Sequence, residues 1–76
     1  MDYDYSYLRG KIREKGISES EFSKKIGVGV ATFSGRINNK SCFSQNEMWL
    51  ACKELSIPIS EIHKYFFTPI LLKTEV

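Results

Sequence analysis

With 76 residues the chain has room for one small hydrophobic core and none for a second domain. An apolar share of 42% and a charged share of 26% exclude a long disordered or low-complexity polymer. The net charge of +2 hides a segregation: residues 9–40 hold eight Lys/Arg against three Glu, whereas residues 1–8 hold only Asp2 and Asp4 and residues 41–76 are slightly acidic. A basic half is the footprint of a face that meets a polyanion; a solvated charged surface is the alternative. No apolar run nears the roughly 20 residues of a membrane helix, and the N-terminus lacks the basic-then-apolar layout of a secretion signal, so a cytoplasmic location is expected. Cys42 and Cys52 are too few for a disulfide framework, and with His63 as the sole histidine they have no metal-finger spacing. They read as packed or bystander thiols, His63 reads as a surface or boundary residue, and no metal or cofactor is expected.

Tyr5, Leu8 and Ile12 recur at helical spacing, which predicts a first amphipathic helix from about residue 4 to Lys15, ended by Gly16. Ser18 and Glu21 then fit a capping box, with Ile17 and Phe22 in the hydrophobic-staple positions. The second helix is short, because Gly27 follows Ile26 as a left-handed stop. Val30 to Asn38 forms a third short helix, with Phe33 and Ile37 on the inner face and Ala31, Thr32, Ser34 and Gly35 spread around the other. A loop over residues 38–41 leads to a second capping box, Ser44 with Glu47, stapled by Phe43 and Met48. The fourth helix runs to about Leu55 on a Met48, Ala51 and Leu55 stripe. Pro58 interrupts, Ser60 is the next plausible cap, and Glu61 to about Phe66 makes a fifth helix carrying Ile62, Tyr65 and Phe66. Residues 67–76, apolar around Pro69, read as an extended tail.

Two short helices joined by a tight glycine turn are the helix-turn-helix arrangement, whose second helix lies in the DNA major groove. Phe22, Ile26, Val28, Phe33 and Ile37 supply its inner contacts, and Ser23 is small where the helices cross. On these residues, on the string from Tyr5 to Ile12, on residues 36–40 and on Ile59-Ser60-Glu61-Ile62, the chain resembles the Cro/repressor-type helix-turn-helix family, and is similar to small phage and prophage regulators of Gram-positive bacteria. The resemblance covers residues 5 to about 66. It implies an all-α, five-helix, lambda-repressor-like DNA-binding domain over residues 1–66 and a homodimer bound to double-stranded DNA.

Carried over position by position, the resemblance places base reading on Val30, Ala31, Thr32, Ser34 and Gly35. Val30 and Ala31 offer only apolar contacts, such as a thymine methyl, so readout should be weak or T-directed. Gly29 stands where relatives often have a Ser cap, and Glu19 where many have Gln. Phosphate contact falls to Ser18, Ser20 and the amides opening the second helix, then to Arg36, Asn38, Asn39 and Lys40, with Lys11 and Lys15 as further candidates. Trp49 either covers the core edge or joins a subunit interface. Phe66, Phe67, Ile70, Leu71 and Leu72 exceed the needs of a five-helix core, which makes the tail a candidate dimerisation strand; folding back as a cap on the first and fifth helices is the alternative. The expected function is transcriptional regulation by operator occupancy. A rival from another class is a protein-interaction or antitoxin-like module on the same fold. No acid/base or nucleophile constellation supports an enzyme.

Overall fold

The computed structural model describes residues 2–70. It is all-helical over five α-helices: α1 Ser6–Glu14, α2 Glu19–Lys25, α3 Val30–Ile37, α4 Gln45–Leu55 and α5 Ile62–Phe66. Both capping boxes form. Ser18 Oγ accepts the Glu21 N–H at 3.0 Å while Glu21 accepts the Ser18 N–H at 3.2 Å. Ser44 and Glu47 repeat the exchange at 3.1 and 3.0 Å. Each box satisfies two amides that a helix start leaves without partners.

The helix ends are as locally determined as the starts. Gly27, at φ +75°, lets its own N–H reach the Lys24 carbonyl at 3.1 Å and the Val28 N–H reach the Ser23 carbonyl at 2.8 Å. This paired closure, a Schellman motif, needs a left-handed residue at that one position. Asn39, at φ +65°, closes α3 in the same way, with Asn39 N–H on Arg36 at 3.1 Å and Lys40 N–H on Gly35 at 2.8 Å. Two boundaries differ from expectation. α1 starts at Ser6 because Asp4 accepts from both the Ser6 N–H and its hydroxyl, and because residues 2–4 are extended. Those bonds hold the Asp4 carboxyl below the usual carboxylate range. Ser60 is no cap either: Ile59–Glu61 is a tight 3-10 turn entered from Pro58, and it runs directly into α5.

A chain of edge-to-face aromatic rings threads the core. Phe22 meets Phe33 at 5.7 Å, Phe33 meets Phe43 at 5.9 Å, and Phe43 meets Tyr5 and Phe66 at 5.3 and 5.2 Å. Such pairs add about 0.5–1.5 kcal/mol each beyond area burial. Leu8, Ile12, Ile26, Ile37 and Leu55 fill the remainder, and Ser23 is fully buried with its hydroxyl donated to the Ser20 carbonyl at 2.8 Å. Cys52 is packed into the α4 stripe, where burial pushes its thiol up, while Met48 is only half-buried and Cys42 is exposed.

The described part of the tail pairs within the chain. Residues 68–70 run antiparallel to residues 2–4: the Asp4 N–H donates to Thr68 O at 2.7 Å and the Ile70 N–H to Asp2 O at 3.1 Å, around the opposed pair Tyr3 and Pro69. The Thr68 carbonyl and the Ile70 N–H are therefore used within the chain, and the outer edge of this stretch carries Pro69, which has no N–H to donate. Phe66 is also withdrawn from the expected interface, because it is buried against Phe43. Leu71 and Leu72 lie outside the described residues.

Candidate nucleic-acid interface

Phe33 and Ile37 anchor α3 on the core, so the opposite face is presented outward. Val30, Ala31, Thr32 and Ser34 are all exposed on it. Gly35, expected beside them, is half-buried: a Cβ there would meet the Ser41 hydroxyl at 3.9 Å and Lys40 Cβ at 4.0 Å, because the turn after α3 curls back over it. Both are ordinary contact distances, so the turn lies beside Gly35 without requiring a glycine there. Gly29 holds the N-cap position without a side-chain bond, which leaves the first amides of α3 uncapped by the protein.

The expected phosphate contacts divide sharply. Ser18 and Ser20 are exposed at the start of α2, although the Ser18 oxygen already accepts the Glu21 amide. Lys40 is exposed and makes no ion pair among the described residues. Asn38 donates to the Ser34 carbonyl at 2.8 Å and stays exposed. Arg36 and Asn39 are committed elsewhere. Arg36 forks onto Glu47, Nε to Oε1 at 2.6 Å and Nη2 to Oε2 at 3.0 Å, and gives Nη1 to Ser41 Oγ at 3.0 Å. Asn39 spends both ends of its amide on the Tyr3 backbone, accepting the N–H at 2.8 Å and donating to the carbonyl at 2.9 Å.

Internal ion pairs thin the basic half further. Arg9 binds Glu19 at 2.9 Å, which ties α1 to the first turn of α2 and accounts for an acid near a surface expected to meet phosphate. Lys11 pairs with Glu14, and Lys25 lies 3.8 Å from Glu54. Arg13, Lys15, Lys24 and Lys40 make no such pair among the described residues. Trp49, Phe67 and Ile70 are exposed apolar side chains, Trp49 at 51%. An apolar cleft of about 90 Å³ between Tyr3, Cys42, Met48 and Phe67 involves none of the outward residues of α3.

Glu47 has a second structural role that its capping motif alone does not disclose. The same carboxylate starts α4 and holds the last turn of α3, and the Arg36 guanidinium keeps it below the usual carboxylate range, assisted by the Ser44 amide. Its stabilisation is present above the unfolded-state value and is lost as pH falls through the depressed folded value. Glu47→Ala should cost about 1.5–3 kcal/mol in urea unfolding at neutral pH, as expected for hydrogen bonds to charged groups. The Lys11–Glu14 pair, screened by solvent, should contribute too little to resolve by the same measurement.

No curated protein matches the chain. A family model does match over residues 1–69, nearly the whole of it, and the chain accordingly belongs to the family described as "Protein of unknown function (DUF739)".

Proposed function

We propose that this chain is a sequence-specific DNA-binding regulator of the phage and prophage type its sequence resembles, acting by occupying an operator. The observation that supports this most is the outward face of α3, where Val30, Ala31, Thr32 and Ser34 are small and exposed on a helix fixed from behind by Phe33 and Ile37. A helix this free of bulk can approach the floor of the major groove closely, touching thymine methyls with Val30 and Ala31 and offering hydroxyls from Thr32 and Ser34. Ser18, Ser20, Asn38 and Lys40 then meet the flanking phosphates. In this reading two copies bind half-sites about 34 Å apart, and the exposed Trp49, Phe67 and Ile70 are available for their contact.

The second reading, a protein-interaction or antitoxin-like module, draws support from the internal pairing of Arg9, Lys11, Lys25 and Arg36, which leaves fewer cations for DNA. Repeated selection from a randomised duplex pool separates the two. Enrichment of a two-fold symmetric, T-rich site is the expected result; a pool without enrichment after several rounds would favour the interaction module. Lys40→Ala should weaken every duplex by a similar factor and leave the selected site unchanged, since a phosphate contact carries no base information.

A further inference from the structure

The turn after α3 is held from an unexpected direction. Its residues Asn38, Lys40, Ser41 and Cys42 are exposed, so little packing fixes them. Arg36 secures one side through Glu47 and Ser41. On the other side, the Asn39 amide runs along the free edge of the ribbon formed by residues 2–4 and 68–70. In that ribbon Tyr3 and Pro69 are the directly opposed pair whose own backbone groups point away from each other, flanked by the Asp4–Thr68 and Ile70–Asp2 bonds. The outward N–H and C=O of Tyr3 both end on Asn39, at 2.8 and 2.9 Å, so one side chain does what a third strand would do. Asn39 is at the same time the left-handed residue that closes α3, and its chain neighbour is Lys40.

We infer that Asn39 is a positioning residue for DNA binding: it docks the turn carrying Lys40 onto the paired chain ends, so that the state of the terminal ribbon sets how well Lys40 meets a phosphate. The inference rests on the DNA-binding reading above and extends it to residues far from the outward face of α3. Without the amide, the turn must be ordered when DNA binds, and that ordering is subtracted from affinity.

Asn39→Gly isolates the amide, since glycine tolerates the positive φ and keeps both closing bonds of α3. Asn39→Asp is a second variant, keeping the acceptor for the Tyr3 N–H and losing the donor to its carbonyl. The probe is a mixed-sequence 30-bp duplex at low salt, suited to a contact that does not depend on sequence. N39G should bind about fivefold more weakly, the scale of coupling between neighbouring groups, and N39D at least as weakly, because its carboxylate faces the Tyr3 carbonyl and adds negative charge beside Lys40. The log–log salt slope should shrink by about 0.9 for each phosphate that the variant no longer neutralises. N39G should also add little to Lys40→Ala in a double-mutant cycle. Affinity and slope equal to wild type would overturn the inference. So would weaker binding with an unchanged slope and full additivity to Lys40→Ala, the mark of a smaller folded fraction alone. Wild-type protein that binds no duplex would overturn the DNA-binding reading and this inference with it, whereas wild-type binding beside an unaltered N39G overturns the inference only.

Discussion

Replacing Phe33 by alanine should lower the unfolding free energy by about 3–5 kcal/mol, the range for removing a buried aromatic ring and leaving a cavity. Phe33 is 2% exposed and lies edge-to-face against Phe22 of α2 and against Phe43 in the loop before α4. The ring therefore joins the second and third helices to the rest of the core. In a chain of 76 residues, whose total stability is on the order of 4–11 kcal/mol, this loss removes much of the margin. Urea unfolding followed by helical circular dichroism should show the midpoint falling sharply with little change in slope. Val30→Ala, on the exposed face of the same helix, should stay within about 0.5 kcal/mol of wild type. Equal, small effects from both substitutions would mean that α3 does not dock through Phe33.

The contrast between those two positions was readable in the sequence, because helical phase is a local property. Phe33 and Ile37 lie four residues apart, and the turn geometry alone sends Ala31 and Thr32 the other way. The capping boxes at Ser18 and Ser44 and the stop at Gly27 were equally legible, each being completed within four or five residues of chain. What escaped were interactions whose partners are distant along the chain. Tyr3 and Pro69 come from opposite ends of the sequence, and nothing local marks an Asp-Tyr-Asp segment as the partner of Thr-Pro-Ile.

The internal partners of the candidate site residues stay hidden for the same reason. Asn39 and Arg36 have the chemistry of phosphate ligands, and composition cannot reveal that one is taken by the Tyr3 backbone and the other by Glu47. Gly35 has the right phase for a base-facing position, yet the left-handed turn at Asn39 folds Lys40 and Ser41 back over it. Phe66 and Phe67 looked like one apolar patch. The last turn of α5 points Phe66 at Phe43, while Phe67 leaves the helix and meets Tyr3 edge-to-face.

The same pairings set the size of the second large effect, the response of DNA affinity to salt. Each phosphate neutralised by a protein cation releases counterions and contributes about 0.9 to the log–log slope. If Arg9, Lys11, Lys25 and Arg36 keep their carboxylates, only the cations without such partners are available, Lys40 foremost, with Arg13, Lys15 and Lys24 depending on how the domain sits on the duplex. A dimer making about four phosphate contacts should show a slope near −3.6 and lose on the order of a hundredfold in affinity between about 50 and 200 mM salt. Binding measured by fluorescence anisotropy across that range decides among three states of the surface. A flat response would sink the DNA-binding reading. A slope near about −3.6 means that the ion pairs persist in the complex. A slope clearly steeper than about −7, more than the unpaired Arg13, Lys15, Lys24 and Lys40 of two copies can supply, would require paired cations such as Arg9 and Arg36 to leave Glu19 and Glu47 for the backbone; Glu47→Ala would then strengthen binding at low salt instead of only loosening the fold.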